Sequence, residues 1–171
     1  MDQISNAADW ERTLGRIFLS SSVIEASINA MLRHWVDPEE FSKIEHGPLS
    51  KRVRRLRGLA NDFVFGSDRH VLLANLTRVS MSAMERNVVA HSPALFEGSS
   101  AAKFPQAIEG IVTRNRRVTR RLGLDELKAM AALVQQLSRA LLQNSAEIRT
   151  RGNPASEADQ ESLATGALIR A

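Results

Sequence analysis

Cysteine is absent from the 171 residues, which excludes disulfide bonds, thiol nucleophiles and thiolate zinc sites. Tyrosine is also absent and aromatic residues make up only 5% of the chain, so a surface that stacks RNA bases on aromatic rings is not expected. No apolar run is long enough to cross a bilayer. The first twelve residues contain acids but neither the basic cluster nor the apolar segment of a secretory signal. We therefore expect a cytoplasmic protein that has no membrane partner.

The composition is that of a folded chain. Hydrophobic residues make up 43% of it and charged residues 25%, which is enough to fill a core and to cover it. A wholly disordered chain would lack this apolar content. The length indicates one domain, or one domain with a tail.

The formal net charge of +4 is distributed unevenly. Two segments without any acid, Lys51–Arg57 and Arg114–Arg121, together hold ten basic residues, so the rest of the chain carries −6. Dense cationic segments on a mildly acidic body favour binding to a polyanion. The alternative is that both segments are ordinary solvated faces.

The hydrophobic pattern is mainly helical. Apolar residues recur at three- and four-residue steps, and Pro, Gly and capping residues separate the segments. We predict long helices over Asp9–Val36, Leu49–Phe63, Ser67–His91 and from Asp125 onward, with a short helix over Glu39–Glu45. Their buried stripes include Phe18 in the first helix, Phe63 in the third, and Val71 and Met84 in the fourth. The basic residues of Lys51–Arg57 are placed on the outward face of their helix.

The segment between the last two helices is less regular. Ser92–Pro105 has the composition of a loop, and the basic stretch Ile108–Leu122 is interpreted as a hairpin or arm. The residues after Arg151 are polar and small, and we expect a flexible tail there. The predicted fold is therefore all-α, a bundle of four main helices with a short extra helix and a basic loop or hairpin arm before the last helix. We assign residues 1–150 to the helical domain and residues 151–171 to the tail.

The most informative pattern is Arg86-Asn87, three residues and His91, at the end of the fourth predicted helix. Asn87 and His91 lie one turn apart, separated by about 40° around the helix axis. Arg86 is about 140° from His91 by the same geometry, but its side chain is long enough to fold back. Pro93 ends the helix, so this polar trio lies where the helix opens into a loop.

This pattern resembles the signature of the HEPN superfamily, whose members are small helical bundles with an Arg, a polar residue that is often Asn, and a His at this spacing. The string RNVVAH is similar to the common form of that signature. The resemblance covers about residues 8–150 and includes a long first helix that carries an acid, Glu25. Some members have a Tyr two residues after the His, whereas this chain has Pro93 there.

The resemblance implies an endoribonuclease that needs no metal or cofactor and works as a homodimer with the two motifs facing each other. A toxin-like or defence-type enzyme with an antitoxin or other regulatory protein as partner is the expected setting. The residue types suit this chemistry, because the RNA 2′-OH is the nucleophile. His91 can act as general acid or base near neutral pH, and Arg86 can bind phosphate. Asn87 can orient the His or bond the phosphate.

Six arginines are the candidates for contacts with the RNA phosphates. We expect Arg54 and Arg55 on the outward face of the third helix, and four more on the basic arm. The four on the arm are Arg116, Arg117, Arg120 and Arg121.

Structural explanations exist for each member of the trio. Arg86 pairs with Glu85 or Glu25 in one interpretation, and His91 then binds the carbonyls at the helix end. Glu25 either faces a neighbouring helix and holds Arg86 or lies on a solvated face. The competing functions are a non-catalytic module that binds nucleic acid or a protein, and a helical DNA-binding protein. No pair of helices with a tight Gly turn supports the last of these.

Overall fold

A computed structural model of the chain describes residues 7–90, 94–97, 107–115 and 118–150. His91, Arg116, Arg117 and the predicted tail 151–171 lie outside these residues, and the division into a domain and a tail stays a prediction. Among the helices that the structure describes, none combines the length and the apolarity that a bilayer span requires.

Five helices account for most of the described residues, and the predicted helical bundle is confirmed. Their predicted bounds differ from the observed ones by only one or two residues. The elements in chain order are α1 (Ala7–Trp35), α2 (Pro38–Ile44), α3 (Leu49–Phe63), α4 (Gly66–Ala90), β1 (Ala94–Glu97), β2 (Ala107–Asn115), β3 (Val118–Leu122) and α5 (Leu124–Thr150).

Local chemistry explains where the helices begin. The Asp37 carboxylate accepts a hydrogen bond of 2.8 Å from the backbone N–H of Glu40, and Pro38 is the first residue of α2. Asp125, the predicted cap of the last helix, instead lies inside the first turn of α5. The Glu126 carboxylate accepts from the backbone N–H of Gly123 at 3.0 Å. This contact is the half of a capping box in which an acid reaches back to the residue before the helix.

The segment between α4 and α5 contains a three-stranded antiparallel sheet in the order β1-β2-β3. Asn115 of β2 pairs with Val118, so β2 and β3 form a hairpin over the basic segment. The sequence pattern allows either a loop or a hairpin in this segment, and the structure has the hairpin. The expectation of a loop over Ser92–Pro105 is wrong for Ala94–Glu97, because this short, partly apolar segment pairs with β2.

One compact unit consists of Met1–Val23 and Arg78–Arg139. It contains the first half of α1, the end of α4, the sheet and the first half of α5. One cluster of buried apolar side chains forms its core and joins Val89, near the end of α4, with Leu122, the last residue of β3. The members are Trp10, Ile17, Val89, Leu122, Leu127 and Ala131.

Within the described residues, the second compact unit consists of 24–77 and 140–150. Its core is built mainly from Leu and Ile side chains of α1, α3, α4 and α5, with Met31 of α1 and Phe41 of α2. A polar contact also lies inside it, because Asn75 Nδ2 donates to Asn144 Oδ1 at 3.2 Å and joins α4 to α5. Buried members include Ile28, Met31, Leu32, Phe41, Leu56, Leu72, Leu76 and Leu141.

The predicted buried stripes are confirmed for most positions and wrong at four, of which Met84 of α4 is the most exposed, at 69%. Phe18, Phe63 and Val71 are 39%, 37% and 52% exposed. Phe18 and Val71 each adjoin a residue that is buried, and a step of about 100° carries them to the edge of the stripe. Phe63 ends α3 with its ring 6.0 Å from that of Trp35.

Two glycines give a matched test of the helix geometry. No atom lies within 4 Å of the Cβ that Gly58 would carry in the middle of α3, whereas Gly66 has a φ of +65°. Gly58→Ala should raise the free energy of unfolding by about 0.5–1 kcal/mol, since alanine restricts the unfolded chain and fits the helix. Gly66→Ala should lower it by about 1–2 kcal/mol because a Cβ is strained in the left-handed region. Urea denaturation measures both, and equal effects of the two changes would contradict the described backbone.

Candidate functional site

The first two residues of the motif lie on a regular helix. Arg86 is half-buried and Asn87 is exposed, and α4 continues through Ala90. Val89, between Asn87 and His91 in the chain, is 4% exposed and belongs to the core of its unit. The end of α4 is therefore held by apolar packing, with a half-buried Arg86 and an exposed Asn87 beside this anchor.

Glu25 faces the neighbouring helix α3. Its carboxylate accepts a hydrogen bond of 2.7 Å from Arg52 Nη2. Arg52 Nη1 also donates to Asn29 Oδ1 at 2.9 Å. The alternative of a wholly solvated Glu25 is thus wrong. A contact between Glu25 and Arg86 stays a prediction.

Arg52 is the exception to the predicted outward display of the basic residues in Lys51–Arg57. It is 7% exposed, and its Nε is buried without a hydrogen-bond partner. The spacing contains a signal for this, because Arg52 lies four residues before Leu56 and seven before Leu59, both of which are buried. A cation at such a position needs a buried or half-buried acid, and Glu25 supplies it.

Arg54 and Arg55 are exposed, as predicted. Lys51 and Arg54 make no ion pair within the described part of the chain. Arg55 differs from them, since its Nε donates to Glu40 Oε1 at 2.6 Å and its Nη2 to Glu40 Oε2 at 3.1 Å. The hydrogen bond to Glu40 raises the pKa of the Arg55 guanidinium above its ordinary value, and burial opposes this rise.

Two of the four predicted arm arginines lie in a paired strand. Arg120 and Arg121 belong to β3, where their partners in the register are Thr113 and Val112 of β2. The role of the arm in RNA binding stays a prediction.

The other described histidines and the three consecutive serines of α1, Ser20–Ser22, are less informative. His70 is exposed, and His46 Nε2 lies 3.3 Å from Glu45 Oε1 with its ring largely in solvent. Ser21 Oγ donates to the Ile17 carbonyl at 2.8 Å inside α1, which is a local helix contact. Over the residues that the structure describes, no group of three or more His, Asp and Glu side chains is placed to share a metal ion.

Removal of the acid alone from the pair of Arg52 and Glu25 should destabilise the protein more than removal of both charges. Glu25→Ala should lower the free energy of unfolding by about 3 kcal/mol, because it leaves a buried cation without its acid. Adding Arg52→Met should recover part of this loss, since the buried charge is then removed. Glu39→Ala, which removes an exposed acid paired with Lys43 at 2.6 Å, is the control and should be nearly neutral. A Glu25→Ala protein as stable as the Glu39→Ala control would contradict a structural role for the pair.

Two features are thus candidates for a functional site. They are Arg86 and Asn87 at the end of α4, and the exposed cations of α3. Comparison of the chain with protein-family models, with curated proteins and with solved structures finds no match.

Proposed function

We propose that the protein is a metal-independent endoribonuclease of the HEPN type in which Arg86, Asn87 and His91 act on the RNA backbone. The observation that carries this proposal is the regular helix α4, which extends through Ala90. Arg86 and Asn87 therefore occupy adjacent positions in the last turns of α4, five and four residues before His91. The resemblance of the motif supplies the reaction type.

The reaction is an intramolecular transesterification. The RNA 2′-oxygen forms a bond to the adjacent phosphorus while the bond from phosphorus to the 5′-oxygen breaks. His91 as general base accepts the 2′-OH proton, and a general acid donates a proton to the leaving 5′-oxygen. The products are a 2′,3′-cyclic phosphate and a 5′-hydroxyl.

The charge that develops on the phosphorane oxygens needs a fixed cation. Arginine remains protonated at neutral pH and has a planar fork of donors that fits phosphate oxygens. We assign this task to Arg86. Asn87 has an exposed amide, which is able to bond a phosphate oxygen or to orient the imidazole.

A homodimer is part of this proposal. A single imidazole cannot easily serve as base on one side of an in-line displacement and as acid on the other. His91 of the partner subunit would supply the second group across a two-fold axis. Exposed apolar side chains on α4 support an interface that includes this helix, since Met81 and Met84 are 64% and 69% exposed. Large exposed apolar groups are common where proteins associate.

The exposed cations of α3 support RNA as the substrate. Lys51 and Arg54 project from the helix without an acidic partner in the described residues, which favours contact with phosphates. The same proposal places the enzyme in the cytoplasm and leaves room for a regulatory protein of the antitoxin class.

The second candidate is a non-catalytic module that binds nucleic acid. The free cations of α3 favour it as much as they favour the enzyme, because phosphate contacts alone give affinity without chemistry. The two candidates differ in the role of His91, which only the enzyme requires.

Cleavage should persist when divalent metal ions are removed. Incubation of the protein with RNA in excess chelator should yield fragments that end in 2′,3′-cyclic phosphate and 5′-hydroxyl, because the base, the acid and the cation are all side chains. Gel electrophoresis with end-group analysis measures this. Activity that disappears in chelator and returns with magnesium would refute the mechanism.

Substitution of the trio should separate the two candidates. His91→Ala should reduce the cleavage rate by about 10²- to 10⁴-fold, the usual contribution of general acid–base catalysis. Arg86→Ala should reduce it by about 10²- to 10³-fold, the usual effect of removing one electrostatic contact to the transition state. Asn87→Ala should have a smaller effect. The control is thermal unfolding of each variant, which should resemble the wild type. A stable His91→Ala protein with full cleavage activity would refute the catalytic role of the trio. A wild-type protein that binds RNA but does not cleave it would leave only the binding module.

A further inference from the structure

The cations on the outward face of α3 are not equally accessible to a ligand. Lys51, Arg54, Arg55 and Gly58 follow each other at helical spacing on this face, and all four are exposed. No atom lies within 4 Å of the Cβ that Gly58 would carry, so the backbone there is accessible. This face offers charge together with room for a close approach by a polyanion.

Arg55 is the member of this face whose donors are already occupied. Its Nε and Nη2 bond the two carboxylate oxygens of Glu40, at 2.6 and 3.1 Å. This is the two-point geometry in which an arginine fork also binds a phosphate group. The carboxylate of Glu40 therefore occupies the donors that a phosphodiester would use.

A ligand in solution can reach the contact between Arg55 and Glu40. The side chains of Arg55 and Glu40 are 43% and 35% exposed, so neither is shut away from a ligand. Exposed ion pairs contribute little to stability. The neighbouring acid Glu39 bonds Lys43 within α2 at 2.6 Å and does not take part.

We propose that Glu40 is an intramolecular phosphate mimic, so that the anion site of α3 consists of Lys51 and Arg54 in the resting protein and gains Arg55 when an RNA phosphate displaces the carboxylate. This inference rests on the proposed binding of RNA and adds an element of regulation to it. A phosphate must displace Glu40 before it can bind Arg55, whereas it binds Lys51 or Arg54 directly. The acid therefore lowers the affinity of α3 for RNA of any sequence.

The test is the salt dependence of RNA binding. The probe is a 2′-O-methyl oligouridylate, which has the phosphate backbone of RNA but no free 2′-OH to be cleaved. Fluorescence anisotropy gives its affinity for the full chain over a series of salt concentrations. Each further phosphate contact of a single strand makes the slope of log affinity against log salt more negative by about 0.7.

Glu40→Gln removes the charge of the acid and keeps its shape. We expect tighter binding and a slope that is steeper by about 0.7, since Arg55 then adds one net phosphate contact. Glu39→Gln makes the same change in net charge one residue away and should leave the slope near that of the wild type. The double variant Glu40→Gln/Arg55→Gln should lose the gain. Glu40→Ala repeats the test with a shorter side chain and should agree with Glu40→Gln.

Three results would overturn the inference. If the wild type binds the probe and Glu40→Gln and Glu39→Gln have the same slope, the acid does not withhold Arg55, while the proposed RNA binding stands. If the double variant keeps the steeper slope, the gain does not come from Arg55. If neither the wild type nor Glu40→Gln binds the probe, the proposed RNA binding fails and the inference fails with it.

Discussion

The burial of one apolar stripe along each long helix is the constraint on which the rest of the structure depends. Helices α1, α4 and α5 each contribute residues to both compact units, so their stripes continue over many turns. On α4 the stripe runs through Leu72, Leu76 and Val79 and reaches Val89. Asn87 lies on the side of the helix away from that last anchor and is exposed, whereas Arg86, three residues before the anchor, is half-buried.

The same periodicity explains how much of the fold can be predicted. It locates the five helices, because each stripe is regular and ends at a capping residue, a proline or a glycine. It fails at the edges, where Phe18 and Val71 adjoin buried residues but are themselves exposed. It places Arg52 on the buried stripe, four residues before Leu56, but it does not identify the acid that pairs with Arg52, which is 27 residues earlier in the chain. Patterns within one helix contain no information about a partner on another.

The sequence predicts which side chains react at the site, and of these the structure describes Arg86 and Asn87. Arg86 and Asn87 lie on a helix as expected, while the role of His91 rests on the motif. The cationic segment Lys51–Arg57 shows why a count of charges predicts a binding surface poorly. Of its five cations, Arg52 is buried in an ion pair, Arg55 is bonded to Glu40 and Arg57 Nη1 donates to Thr77 Oγ1 at 3.0 Å. Only Lys51 and Arg54 remain without such contacts in the described residues.

The exposed Met81 and Met84 matter in a second way because the chain has no cysteine. The sulfur that oxidants can reach is then thioether sulfur, and oxidation converts it to a polar, chiral sulfoxide that reductases can reverse. Met31, which is fully buried, is protected from this chemistry. Oxidative stress would therefore change the polarity of the exposed face of α4 while the interior kept its packing, which couples any association through that face to the redox state of the cell.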